Sequence, residues 1–357
     1  MKPIPVLLTC TLLSSSAIAH ADFTYQETTQ ITGGSVVSMM KMAGTFSKQA
    51  RQAGDPVVST VMVKGNRMIH INKETSEIID LDAGTITVVD HVKKQYTTMT
   101  FEQMRQQLDA AMARAKAEQA KQAKQPPPPA ANDAQNVDVK FTVKVRNTGA
   151  AKDVAGLSAK ESIMTMTMDA TDQQSGQTGS FAITNDMYLA PDIPGYDEVR
   201  DFYKRYAIKM GTVMSGAINT QMMSMMQQPA AGKGMADMVE EMSKLKGIPV
   251  LQIMRMGTTV DGTPLPAASE APLPAAPPPP SAGDIAKSAV MNSLPFGGFG
   301  RKKKQDNPPP ADADASQQKW AVLTESSTQL TEFSKSAIDP SQFNPPAGYK
   351  QIQPQLN

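Results

Sequence analysis

The sequence predicts an α+β protein built on one antiparallel sheet with helices on one face. The first half contains short segments rich in Val, Ile, Thr and Tyr, separated by turn residues. Two stretches, near residues 101–125 and 196–226, have helical periodicity. The segment 137–146 alternates apolar and polar side chains, as a strand with one solvated face does. The order of strands, helix, strands, helices and strands favours a sheet with one helical layer.

The first 21 residues have the features of a secretory signal peptide. Lys2 supplies positive charge, Val6–Leu13 is apolar but too short to span a bilayer, and Ala19-His20-Ala21 matches a cleavage site. We expect cleavage after Ala21 and a periplasmic or secreted mature protein. Cleavage also removes Cys10, the only cysteine, so stability must come from burial rather than from disulfides.

Composition excludes several classes of partner. Loss of Lys2 leaves 34 basic against 34 acidic residues, a balance that indicates neither a nucleic acid nor an anionic membrane surface. No later run approaches about 20 apolar residues, so no transmembrane segment is expected.

Short strands open the mature chain, and their close spacing predicts an antiparallel meander because helical crossovers cannot fit between them. The candidates are Phe23–Ile31, Met39–Phe46, Val57–Val63, Arg67–Ile71, Glu77–Leu81, Ile86–Asp90 and Gln95–Met99.

A strong helix start follows this meander. Thr100 and Gln103 form a capping box, and Met99 and Met104 occupy the positions of a hydrophobic staple. The helix should continue to about Gln125, where a proline-rich linker over 125–136 ends it.

Further elements are predicted in the second half of the chain. The expected strands are Val137–Arg146, Ala159–Ala170, Phe181–Leu189, Pro249–Met256 and Trp320–Phe333. The expected helices are Tyr196–Met226, either continuous or broken near Gly211, and Met235–Leu245. A turn-rich end is expected over Ile338–Ile352. The aromatic residues Tyr188, Tyr196, Phe202, Tyr203 and Tyr206 indicate an anchor that seats the helix on the sheet.

One domain, 22–256 plus 319–357, is expected around a low-complexity Pro/Ala/Gly insert over 257–318. Gly262–Pro280 should be a disordered spacer, and Arg301–Lys304 a solvated linker.

Four stretches together resemble a family of secreted bacterial proteins known only as a domain of unknown function. They are "VKGNRMIHINKETSEIIDLDAGTITVVDHVKKQYTTMTFEQM", "YLAPDIPGYDEVRDFYKRY", "GIPVLQIMRMG" and "IDPSQFNPPAGYKQI". That family is distantly similar to the periplasmic lipoprotein-localisation carriers. The resemblance implies an incomplete antiparallel barrel wrapped on helices, with an apolar concave face for acyl chains. The chain departs from the carriers in starting with a strand and in its long insert, and none of their cavity residues can be matched.

Methionine is the compositional anomaly, with 25 residues, several of them clustered. Three interpretations remain open: core filling, an adaptable apolar groove for a lipid or a partner, or Cu(I) binding by thioethers. The groove hypothesis selects Met164, Met166, Met168, Phe202, Tyr206 and Met210. The copper hypothesis selects Met222, Met223, Met225 and Met226, whose spacing could bring sulfurs together on a helix.

No catalytic pattern stands out. His70 and His91 are too few for a metal site without another ligand, and Ser38-Met39-Met40-Lys41 lacks the other motifs of penicillin-recognising enzymes. We therefore expect a non-enzymatic protein without a cofactor that binds a lipid, a lipidated protein or another hydrophobic partner. The alternative is a structural protein with a filled core, whose proline-rich arms reach a cell-envelope partner.

Overall fold

The computed structural model describes residues 22–37, 54–122, 137–172, 178–226, 240–260, 262–273 and 319–354. Twelve strands and two long helices account for most of them. The strands are β1 Phe23–Gly33, β2 Val57–Lys64, β3 Arg67–Ile71, β4 Thr75–Asp80, β5 Thr85–Asp90, β6 Gln95–Thr100, β7 Val137–Val154, β8 Leu157–Asp172, β9 Thr178–Ala190, β10 Ile248–Val260, β11 Trp320–Ser334 and β12 Lys350–Gln351. The helices are α1 Phe101–Gln122 and α2 Asp197–Met226.

All twelve strands form one open sheet in the order β12-β6-β5-β4-β3-β2-β1-β11-β10-β9-β8-β7. Each half is a meander, and the two halves join where β1 pairs with β11. The expected antiparallel pairing is confirmed for every neighbouring pair except β12 and β6, which run parallel. The sheet is therefore mixed, because the C-terminal segment returns along the outermost strand of the first meander.

An apolar row crosses the first meander from β1 to β5. Phe23 pairs with Val63, Val63 with Met68, Met68 with Ile79, and Ile79 with Ile86. The first four of these side chains are buried in the main hydrophobic cluster. That cluster also contains Phe101 of α1 and Val199 and Phe202 of α2, so helical residues cover this part of the sheet.

The predicted capping box of α1 is confirmed. The backbone N–H of Gln103 donates to Thr100 Oγ1 at 3.0 Å, and the N–H of Thr100 donates to Gln103 Oε1 at 2.8 Å. Both bonds satisfy donors that a helix start would otherwise leave without acceptors.

The aromatic anchor of α2 is also confirmed. The Tyr196 ring lies 5.9 Å from Phe23 and 6.1 Å from Tyr25, and Phe202 stacks on Tyr206 at 6.4 Å. Burial raises the pKa of Tyr196 to about 12, as expected for a phenol packed against apolar side chains.

The C-terminal segment covers the opposite face of the first meander. Ile338 and Phe343 pack on Ile69, Ile78 and Val89, which point away from the row that carries Met68 and Ile79. A 3-10 helix at Pro340–Phe343 places Phe343, and Asp339 caps it by accepting from the Ser341 N–H at 2.9 Å. β3 and β4 are therefore covered on both faces.

The structure corrects the expected insert boundary. β10 continues to Val260 rather than ending at Met256, and residues 262–273 are not a disordered spacer. They form a strap packed on the sheet, with Leu265 and Ala267 fully buried. Their proline and alanine content suggested a solvated chain, but Leu265 finds an apolar site on Ala182 and Val322.

Other elements differ in length or lie outside the described residues. β7 and β8 form a hairpin that extends past Arg146 to a turn at 155–156. Ala155 and Gly156 both have positive φ there, a conformation that glycine adopts readily. The predicted strand Met39–Phe46 lies outside the described residues. So does most of the predicted helix Met235–Leu245, of which a helical turn at 240–243 is described.

Candidate functional site

The most unusual surface of the molecule lies on one face of β7–β10. Met164, Met166 and Met168 of β8 project to the same face because side chains alternate along a strand. Met254 and Met256 of β10 project to that face as well, since β9 pairs with both strands in continuous register.

Three cross-strand rows build this surface, which is called the methionine face below. The rows are Val145–Met164–Asn185–Met254, Val143–Met166–Ile183–Met256 and Phe141–Met168–Phe181–Thr258. Ten of the twelve residues are apolar, so the face can shelter hydrocarbon without a charged group at its centre.

The methionine face is only partly covered by the described parts of the chain. Met168 is 37% exposed, Met254 is 39% exposed and Phe141 is 40% exposed. Among the described residues, none of the five methionines belongs to a cluster of buried hydrophobic side chains. Phe141 and Met168 are paired neighbours, and the half-buried Met166, Ile183 and Met256 lie between them and Met254.

The predicted groove residues separate into two groups. Met164, Met166 and Met168 lie together on the methionine face. Phe202, Tyr206 and Met210 lie on α2, where Phe202 is buried in the main cluster and the other two pack against it. The helical three are therefore core residues, because the apolar stripe of α2 faces the first meander.

The predicted copper ligands all fall on the last turns of α2. Met222, Met223, Met225 and Met226 are helical in the structure. Their side chains lie outside the described residues, so the copper hypothesis rests on spacing alone.

Sequence reasoning missed much of the site. Met254 and Met256 alternate in a predicted strand, and this pattern could have marked them. Val143, Ile183 and Phe181 could not be added from sequence, because only the register of β7, β8 and β9 places them beside the methionines.

The opposite face of β9–β11 is packed against the strap. Arg255, only 2% exposed, donates from Nε to Glu325 Oε2 at 2.6 Å. The same guanidinium donates from its Nη1 to the Ala267 carbonyl of the strap at 3.0 Å. Thr32 Oγ1 donates to Glu325 Oε1 at 2.7 Å, so strap, β10, β11 and β1 share one buried polar network.

Two buried carboxyl groups lie on this strap-covered face, and their pKa values are shifted in opposite directions. Burial raises the pKa of Asp186 above its ordinary value. The Ser269 N–H, which donates to Asp186 Oδ2 at 2.7 Å, acts in the opposite direction but does not outweigh burial. Its Oδ1 has no partner among the described residues. Burial opposes ionisation of Glu161 too, but hydrogen bonds from Thr148, Tyr188 and Ser269 lower its pKa.

The two histidines of the mature chain have separate partners. His70 Nε2 lies 3.3 Å from Met68 Sδ, and burial lowers the pKa of His70. His91 Nε2 lies 2.6 Å from Ser76 Oγ, and its Nδ1 lies 3.3 Å from the Tyr349 hydroxyl. Ser76 and His91 line a cavity of about 320 Å³ under the C-terminal segment.

Among the described residues, no three His, Cys, Asp or Glu side chains converge as a metal site would require. Within the same residues, neither long helix has the length and apolarity needed to cross a membrane.

Comparisons with known proteins add no assignment. No protein-family model matches the chain, and no curated protein matches it. The functional argument therefore rests on the geometry of the sheet.

Proposed function

We propose that this protein is a non-enzymatic carrier of the bacterial cell envelope that binds a lipid or a hydrophobic partner on the methionine face. The observation that carries the proposal is the row Val143–Met166–Ile183–Met256, an apolar path across four strands. The signal-peptide pattern before Asp22 supports an address in the periplasm or outside the cell.

The register supports a carrier-like half-barrel. Ser326 of β11 pairs with both Met254 and Ile31, so the methionine face continues onto the β1 face that carries Tyr25 and Phe23. In this proposal the sheet is an incomplete barrel wrapped on helices, which fill its first half and leave the second half for a ligand. This arrangement agrees with the resemblance to the lipoprotein-localisation carriers.

Burial alone supplies the binding energy in this mechanism. Each sheltered methylene contributes about 0.8 kcal/mol, so twelve contribute about 10 kcal/mol. That sum exceeds the lower estimates of the cost of association, about 4 kcal/mol. Flexible methionine side chains can follow acyl chains of different shape, which suits a carrier more than a selective receptor.

Lipid extraction followed by mass spectrometry tests the proposal directly on protein purified from its native envelope. We expect co-purifying acyl lipids, together with binding of the fluorescent fatty acid cis-parinaric acid. Met166→Lys places a charge in the middle row and should weaken probe binding at least about tenfold.

The matched control is Ile208→Lys, which introduces the same charge at a 65% exposed apolar residue of α2. It should leave probe binding unchanged. Equal losses in both variants, or a protein that carries no lipid and binds no probe, would defeat the proposal.

Copper handling remains the second candidate, based on the four helical methionines. Titration with Cu(I) should then show a site that is lost on joint replacement of Met222, Met223, Met225 and Met226 by leucine. Unchanged affinity after the replacement would end this candidate.

A further inference from the structure

The choice of methionine on β8 and β10 needs a physical reason. Val and Ile have higher strand propensity, and β7 uses Val143 and Val145 opposite Met166 and Met164. An apolar binding face could be built from those residues without a thioether. Methionine adds flexibility, and it adds a sulfur atom that mild oxidants attack.

We propose that the methionine face is a site of reversible oxidation, at which peroxides convert the thioethers to sulfoxides and thereby release the bound apolar ligand. The site comprises Met164, Met166, Met168, Met254 and Met256. This inference rests on the proposed function for its consequence, but the oxidation itself depends only on the exposure of the sulfurs.

The chemistry balances with hydrogen peroxide as the oxidant. A sulfur lone pair attacks one peroxide oxygen, the O–O bond breaks, an S=O bond forms, and the other oxygen leaves as water after proton transfer. Sulfur is oxidised by two electrons and the peroxide is reduced. Each product is a polar sulfoxide in place of an apolar thioether.

Solvent exposure distinguishes the five methionines of the face from other methionines in the same sheet. Met168 and Met254 are more than one third exposed, and the other three are half-buried. Met68 is 0% exposed and Met187 is 5% exposed, so water-borne peroxide reaches neither without local opening. The two groups provide an internal comparison within one protein.

A sulfoxide on this face has a direct effect on ligand binding. Its oxygen requires a hydrogen-bond donor. The side chains paired with Met166 are Val143 and Ile183, and those paired with Met168 are Phe141 and Phe181, none of which provides a donor. The oxygen therefore keeps water on the surface, and an acyl chain that displaced this water would leave the sulfoxide without a partner.

The experiment exposes the full-length mature protein to hydrogen peroxide and maps sulfoxides by peptide mass spectrometry over time. We expect the five methionines of the face to be oxidised at least about tenfold faster than Met68 and Met187. Binding of cis-parinaric acid should fall in parallel. Treatment with the two epimer-specific methionine sulfoxide reductases and a dithiol, which supplies two electrons per sulfoxide and is oxidised to the disulfide while the oxygen leaves as water, should restore it.

A variant with all five methionines replaced by leucine is the matched control. Methionine-to-leucine replacement conserves volume, so the variant should fold and bind the probe. Its probe binding should be at least about tenfold less sensitive to peroxide. If five changes prevent folding, Met254→Leu alone should remove the sulfoxide signal at the more exposed of the two β10 methionines of the face.

The outcomes distinguish this inference from the proposed function. An untreated protein that binds no probe defeats the carrier proposal, while the sulfoxide map still tests oxidation of the face. Oxidation of Met68 and Met187 as fast as the face overturns the inference. So does a leucine variant whose binding is lost to peroxide as readily as that of the unmodified protein.

Discussion

The two halves of the sheet bury their faces differently. In the first meander, helical residues cover the row from Phe23 to Ile79, and the C-terminal segment covers Ile69 and Ile78 on the other side. In β8–β10, the strap covers the face of Arg255 and Asp186, and the methionine face stays partly exposed.

This difference shows how an exposed apolar face can persist in a stable fold. The second half contributes Ala190, Val250 and Leu251 to the main cluster, and it has a second small core on the strap side, where Leu265, Ala182 and Val322 pack beside the Arg255–Glu325 ion pair. The five methionines lie outside the hydrophobic clusters of the described residues, and the proposed function assigns them to ligand binding.

Truncating one side chain in each half of the sheet is the strongest test of this difference in burial. Phe202→Ala leaves a cavity in the main cluster and should lower the free energy of unfolding by about 3–5 kcal/mol. Met166→Ala removes a half-buried side chain and should cost about 1 kcal/mol or less in stability, while weakening probe binding. Urea unfolding measures both, and similar losses would mean that the methionine face belongs to the core.

The buried polar network on the strap side can be disrupted by removing one charged side chain. Glu325→Ala leaves the buried Arg255 guanidinium without its carboxylate and should cost about 3 kcal/mol. The double variant Arg255→Met with Glu325→Leu should lose much less, because no unpaired charge remains. The midpoints of urea unfolding measure the stability of the single and double variants. A double variant as unstable as the single one would contradict this account.

The two carboxyl groups of the strap-covered face should give opposite pH dependence. The pKa of Asp186 is raised in the folded state, so its stabilising contribution is present at low pH and is lost as pH rises from 3.8 through the folded value. Asp186→Asn should therefore stabilise the protein by about 1 kcal/mol at about pH 7.5 and have little effect at about pH 4.

Glu161→Gln is the matched comparison, because hydrogen bonds lower the pKa of Glu161 despite its burial. The ionised Glu161 carboxylate stabilises the fold at pH values above its ordinary pKa of 4.5. This stabilisation is lost as the pH falls through the lower pKa of the folded state. This replacement should destabilise at neutral pH and matter less in acid. The same pH trend in both variants would show that the two sites are electrostatically equivalent.

The smallest effect is expected at the start of α1. Thr100→Ala removes the cap that accepts from the Gln103 N–H and should cost about 0.5–1 kcal/mol. Thr97→Ala removes the same hydroxyl from β6 without a cap and serves as the control. Thermal unfolding would resolve the pair, and equal shifts would argue against the capping box as a source of stability.

Local patterns predicted many elements well. β3 begins and ends where its isoleucines and the flanking turn residues indicate, and the capping box marks the start of α1 correctly. Both signals act within a few residues, so the local chain is sufficient to recognise them. The strap was misread because its stability comes from Ala182, Arg255 and Val322, which are distant in sequence.

The site was predicted in part for the same reason. Alternation on β8 identified Met164, Met166 and Met168 as one face, and helical periodicity identified Phe202, Tyr206 and Met210 as one stripe. Neither the strand alternation nor the helical periodicity indicates whether the two surfaces lie next to each other. In the structure the stripe packs on the first meander and the three methionines lie beside β9 and β7.

The sequence by itself determined most strands of the two meanders, the starts of α1 and α2 and the two-sided character of β7 and β8, because backbone geometry and side-chain alternation are local properties. The tertiary structure alone decided which apolar faces are covered. Covering depends on contacts between segments far apart in the chain, such as Phe343 on Ile78 and Leu265 on Val322. Such contacts leave no period in the sequence, and among the described residues they cover the face of Arg255 and Asp186 while the methionine face stays partly exposed.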